Sequence, residues 1–197
     1  MIKKIYKFLR IYFSWLWYKN NGYGNKIPTK VKAFIILKLH QKTKYGVFIE
    51  TGTFLGDMIH AIYPFFKTLY SIELSQKLAK TAQNNFILQK NIKILQGDST
   101  LILPQVLAQL AEPAIFWLDG HFSGATTAKG KLNTPILAEI EAIAMHPIKQ
   151  HVIAIDDIHL FNGENDYPKK EDFIALIKNS FPNHQQIFIA NMMIIKN

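Results

Sequence analysis

Short apolar runs recur along the chain, and five of them end on an acid. Val47–Ile49 leads into Glu50, Leu69–Ile72 into Glu73, Ile92–Leu95 through Gln96-Gly97 into Asp98, Ala114–Leu118 into Asp119, and Val152–Ile155 into Asp156-Asp157. Successive acids are 23, 25, 21 and 37 residues apart, enough each time for a crossover helix between parallel strands. A parallel sheet built this way carries a row of carboxylates along the edge where open α/β sheets bind small ligands.

The stretches between the runs fit that arrangement. Lys30–Lys42 places Val31, Phe34, Ile35 and Leu39 on one helical face. A glycine-containing turn after Glu50 precedes a helix through about Phe66, and Ser75 N-caps a helix to about Gln89. Further helices are predicted over about Leu101–Leu110, with Pro104 tolerated near the first turn, and over Pro135–Met145 and Glu171–Ser180. Polar, glycine-bearing segments at 20–28, 120–133 and 162–170 read as loops, the second long enough to be functional. Gln186–Ala190 and Met192–Lys196 flank Asn191 as two β runs around a tight turn. The expected fold is α/β: a Rossmann-like, seven-stranded, mostly parallel sheet with helices on both faces and a C-terminal antiparallel hairpin.

Composition narrows the chemistry. The 197 residues are enough for one domain with a real core. With no cysteine, disulfides, a thiolate nucleophile and cysteine-based zinc sites are excluded, which fits a reducing, cytoplasmic setting. The net charge of +9 is unevenly placed: residues 1–44 hold eleven Lys and Arg and no acid, and the remainder is nearly neutral.

Residues 1–28 therefore form a basic, aromatic arm ahead of a domain at 29–197. No uncharged run in the arm approaches the roughly 20 residues that span a bilayer, and it lacks the pattern of a signal peptide. Lysines and Arg10 mixed with Trp15, Trp17 and Phe13 match an interfacial helix on anionic lipid, peripheral at the inner face of the membrane. A helix packed on the domain or on a second copy in an oligomer, and a nucleic-acid-binding arm, are the alternatives.

The first strand and turn run Val47-Phe48-Ile49-Glu50-Thr51-Gly52-Thr53-Phe54-Leu55-Gly56-Asp57. Gly52 permits a tight turn and close approach of a ligand. The glycine spacing is not that of nicotinamide or flavin enzymes, and Glu50 would repel a pyrophosphate while favouring a cationic ligand.

At Glu50, Gly52 and Gly56 the chain resembles the class I S-adenosylmethionine (SAM)-dependent methyltransferases, whose first motif is acid-x-Gly-x-x-x-Gly. Phe54 stands where many members have a further glycine, as in catechol and caffeoyl-CoA O-methyltransferases. The terminal hairpin is also a habit of that family. The resemblance spans roughly residues 45–197. It implies that Glu73 binds the ribose hydroxyls, that Asp98 and Ser99 lie near the adenine, and that Glu50, Gly52, Thr53 and Gly56 line the methionine moiety. It implies that Asp119, Asp156 and Asp157 hold a divalent metal, and all-oxygen ligation favours Mg²⁺. Asp119 also borders the cofactor and acceptor, and His121 is the first candidate for the base, with His159 and Lys129 as alternatives. Asp156 and Asp157 orienting the acceptor without metal is the other reading of that pair. The expected reaction is methylation of a hydroxyl on a small molecule or a glycan, macrocin-type sugar enzymes being among the similar families. An RNA methyltransferase using the arm, and a non-catalytic domain attached through it, are the rival readings.

Overall fold

A computed structural model describes residues 2–21, 27–121 and 132–197. The elements run α1 (Ile2–Asn20), α2 (Thr29–Thr43), β1 (Val47–Thr51), α3 (Asp57–Ile62), β2 (Thr68–Glu73), α4 (Gln76–Asn85), β3 (Ile92–Gln96), α5 (Ser99–Leu107), β4 (Ala114–Leu118), α6 (Ile136–Met145), β5 (Val152–Ile155), a 3₁₀ turn (Ile158–Leu160), α7 (Lys170–Ser180), β6 (Gln185–Ile189) and β7 (Met192–Lys196).

The strands form one seven-stranded sheet in the order β3-β2-β1-β4-β5-β7-β6. The first five are parallel, and β7 pairs antiparallel with both β5 and β6. The two-residue turn at Ala190-Asn191 holds Ala190 in the left-handed region at φ 51°, which fits the turn of a tight hairpin. The Rossmann-like architecture predicted from the apolar runs is present.

Strand alternation divides the core in two. Phe48, Leu69, Ile115, Trp117, Val152 and Ala154 meet residues of α1 to α4 on one face. Val47, Ile49, Ile72, Phe116, Leu118, Ile153 and Ile155 meet α5, α6 and α7 on the other. The same parity sends Glu50, Glu73, Asp119 and Asp156 toward the first face.

Four helix boundaries differ by two or more residues from their sequence expectation, α5 among them ending at Leu107 rather than near Leu110. α3 stops at Ile62 rather than near Phe66: Tyr63 keeps helical backbone as the C-cap, but Pro64 has no N–H to continue the ladder. α4 stops at Asn85 rather than near Gln89. α5 starts two residues earlier than expected, at Ser99, because the Asp98 carboxylate accepts from the Thr100 N–H at 2.9 Å and caps the helix. Pro104 consequently lies inside α5 rather than in its first turn. α1 lies along α2, with Ile11 and Tyr18 buried. Most of the loops predicted at 20–28 and 120–133 lies outside the described residues.

Candidate active site

Strand order reverses between β1 and β4, and the crevice at the carboxyl ends of such a pair is the ligand site of open α/β sheets. Gly52 and Asp119 meet there. Gly52 has φ +85°, and a Cβ at that position would collide with the Asp119 carbonyl. The Asp119 N–H donates to the Thr51 carbonyl at 3.1 Å, and the Asp156 N–H to the Leu118 carbonyl at 3.1 Å, which extends the ladder across all three strand ends.

On the β1–β2 side the acids are tied into the backbone. Register places Glu50 opposite Ser71. The Ser71 hydroxyl donates to Glu50 Oε2, and Thr53 Oγ1 lies 2.6 Å from the same hydroxyl. Glu50 is 1% exposed, and burial, with Asp119 and Glu73 nearby, raises its pKa well above the usual carboxylate range. Among the described residues it forms no ion pair. Glu73 accepts from the Phe54 N–H at 2.8 Å and the Ser75 N–H at 2.9 Å. The first of these bonds holds Phe54 at φ 48°, an uncommon conformation for a bulky residue. Gly56 packs so closely that a Cβ would come within 2.9 Å of Phe86. Asp98 Oδ1 caps α5 while Ser99 begins it.

The β4–β5 side is where chain geometry separates neighbouring residues. Asp157 adopts left-handed backbone at φ 49°, so consecutive acids face different partners. Asp156, 4% exposed, pairs through Oδ2 with the Lys32 ammonium from α2, while its buried Oδ1 has no hydrogen-bond partner among the described residues. Burial and the Asp119 carboxylate push Asp156 upward against the pull of Lys32. Burial acts to lower the Lys32 pKa, but Asp156, Asp119 and Asp157 outweigh it and raise the ammonium.

His121 lies between the other two acids, its Nδ1 3.3 Å from Asp119 Oδ1 and its Nε2 3.5 Å from Asp157 Oδ2. Burial disfavours its charged form, yet the carboxylates outweigh burial and raise its pKa. His159 Nδ1 is 3.7 Å from Asp157 Oδ1 on a more exposed side chain. Lys129 lies outside the described residues. Of the three predicted metal ligands, Asp119 and Asp157 come together with His121, one donor atom from each lying within 4.8 Å of the others. Asp156 is instead engaged by Lys32.

Three further side chains enter the site. Lys32 carried no sequence signal, because it lies 124 residues from its partner. Tyr167 packs edge-on to His121 at 6.4 Å between centroids; burial and then Asp157 and Asp119 raise its phenol pKa. Glu139, 1% exposed on α6, has its Oε1 3.5 Å from where a Cβ on Gly120 would stand. Burial raises it to about 7, against the pull of the Ser99 and Thr51 hydroxyls. Its spacing with Ile136, Ile140 and Ile143 was a legible sign that it shares their buried face.

Solved structures with this arrangement of strands and helices identify the fold. A SAH-bound methyltransferase from Podospora anserina superposes with a TM-score of 0.62 at 13% identity, over 94% of this chain and 86% of that one. The fold is that of the class I methyltransferases. An O-methyltransferase from Bacillus cereus in complex with SAH gives 0.61 at 15% identity, over 97% of this chain and 90% of that one. A 23S rRNA methyltransferase is also similar, at 0.53 and 12% identity, over 83% and 67% of the two chains. No family model and no curated protein matches the sequence. The Gly52–Asp119 crossing lies at the carboxyl ends of β1 and β4, with Glu50 at the end of β1.

Proposed function

We propose that the protein is a SAM-dependent methyltransferase acting on a hydroxyl of a small molecule or glycan. The observation that carries this reading is Glu50: a buried carboxylate at the β1–β4 crevice, unpaired among the described residues, beside Glu73 and with Asp98 at the next strand end. An uncompensated buried acid is costly, and a ligand bearing an ammonium and ribose hydroxyls suits this donor set better than a phosphate does. SAM supplies an electrophilic methyl on a sulfonium whose departure leaves a neutral thioether.

The chain's own residues do the rest. The Thr53–Ser71–Glu50 hydroxyl relay holds the carboxylate in place, and Glu73 and Asp98 retain acceptor capacity for hydroxyls and an amine. The acceptor hydroxyl sits against His121, gives its proton to the imidazole, and takes the methyl carbon by in-line displacement. Asp119 and Asp157 orient that imidazole and stabilise the imidazolium. Lys32 offsets the third acid, so before proton transfer the three carboxylates face one cation and a neutral imidazole and keep a net negative charge toward the sulfonium.

The Asp119, His121 and Asp157 donors also fit a divalent ion, which when bound would polarise the acceptor oxygen. An imidazole in the set moves the choice from Mg²⁺ toward Mn²⁺ or a borderline ion. Ligation through His121 and proton transfer to it exclude one another, and we assign His121 the base role because Lys32 already engages Asp156, which leaves the imidazole with only two of the three carboxylates beside it. Methyl transfer that is lost in EDTA and restored by Mn²⁺ would reverse that assignment.

The first test is thermal melting with S-adenosylhomocysteine. A rise in Tm that grows with ligand concentration is expected, and an unchanged Tm at millimolar ligand overturns the reading. Transfer of labelled methyl to hydroxyl-bearing acceptors then tests the chemistry.

A further inference from the structure

α1 is anchored by one face and presents the other to solvent. Ile11 and Tyr18 are buried, and Trp15 stacks on Phe34 of α2 at 4.7 Å between centroids, with Phe8 and Tyr12 also against that ring. The outer face carries Ile5, Tyr6, Leu9, Phe13 and Trp17, all exposed, Phe13 by 62% and Trp17 by 65%. Spacing by four residues sets Ile5, Leu9, Phe13 and Trp17 in one band along the helix. A contiguous apolar band of this kind on a folded protein marks a contact surface.

Charge selects the partner. Lys4, Arg10 and Lys19 are exposed on the same helix, and Lys7 lies over the Tyr63 ring at 4.1 Å. No acid occurs in residues 1–44. Two copies joined face to face would set these acid-free helices against each other with no opposite charge to meet. An anionic lipid surface supplies that charge and takes the apolar side chains below its headgroups. No described helix is long and apolar enough to cross a membrane, so the helix would lie along the surface. We propose that the outer face of α1 docks the protein on anionic membranes, with Phe13 and Trp17 inserted and the basic side chains at headgroup level. This inference is independent of the proposed methyl transfer.

The test is co-sedimentation of the full chain with vesicles of phosphatidylcholine alone or with about one-third phosphatidylglycerol added. Binding to the anionic vesicles only is expected, with a blue shift of tryptophan emission and release by salt. Phe13→Ser with Trp17→Ser should weaken binding by about tenfold or more, and Lys4→Glu with Arg10→Glu similarly. Because these side chains are exposed, the variants should melt like the parent, and melting curves check that. Equal binding to neutral vesicles, no binding at low salt, or unaltered binding by the variants overturns the proposal. A dimer dissolved by the Phe13 and Trp17 substitutions would also overturn it and give the face to a second copy.

Discussion

Lys32 of α2 closes a largely buried ion pair with Asp156 at the carboxyl end of β5, 124 residues further along the chain. The pair fastens the helix that precedes the sheet to the strand end that borders the candidate site. The ammonium also lies 5.8 Å from the Trp117 ring centroid, so it is flanked by an acid and an aromatic face.

Removing one member of a buried pair leaves the other charge uncompensated, at a cost of about 3 kcal/mol or more. Lys32→Met is therefore expected to lower Tm by roughly 6–12 °C in a chain of this length. Lys32→Met with Asp156→Asn should recover much of that loss. A double variant as unstable as Lys32→Met alone would show that the pair is not the cause.

Gly52→Ala forces a Cβ into the Asp119 backbone, whereas the nearest atom to a Cβ at Gly46 is Lys67 Cβ at 3.4 Å, an ordinary contact. The first substitution should lower Tm and abolish the S-adenosylhomocysteine shift, and the second should leave both near the parent values. Scanning fluorimetry of the two variants measures this.

His121→Gln removes the proposed base while keeping a polar side chain between Asp119 and Asp157. Methyl transfer should fall about 100-fold or more, with S-adenosylhomocysteine binding retained. Activity that persists with an unaltered pH profile would remove His121 from the mechanism.

At the opposite edge of the sheet, His151 Nδ1 accepts from the Ala114 N–H at 3.1 Å. Its Nε2 lies 3.0 Å from His146 Nδ1, and His146 Nε2 lies 3.1 Å from the Leu107 carbonyl. The relay works only with both rings neutral: His151 donates to His146, and His146 to Leu107. Burial, then His146, His184 and Lys149, lower the His151 pKa from 6.5 to about 4. The unfolded chain takes up this proton below about pH 6.5 and the folded chain does not, so the contribution is present above that pH and lost as pH falls toward 4. Tm should drop over that window, and His151→Gln should lower Tm at neutral pH while flattening the drop.

Glu139 has the reverse sign. Its carboxyl, raised from 4.5 to about 7, holds a proton in the folded state that the unfolded chain releases, so its contribution is lost as pH rises through that interval. Glu139→Gln should therefore raise Tm more at pH 8 than at pH 5. An equal change at both values would show that Glu139 does not titrate in this way.

The apolar runs by themselves determined the sheet. Five runs were short and ended on an acid with room for a helix between them, and two more flanked a tight turn, so strand number, the parallel direction of the first five and the acidic edge were local properties of the chain. Glu50, Glu73, Asp98 and Asp119 could be assigned to strand ends for the same reason. Glu139 was not singled out from the sequence, although its helical spacing with the isoleucines of α6 matched a buried face. What the sequence could not supply was pairing between distant segments. Asp156 and Asp157 are adjacent and alike in sequence, but left-handed backbone at Asp157 sends one toward His121 and leaves the other with Lys32. The arm likewise read as one basic, aromatic segment, and only packing against α2 divided its side chains into a buried set and an exposed one. Periodicity is encoded within a few residues of chain, whereas the partner of a charge or the covered face of a helix depends on which distant surfaces the fold brings together.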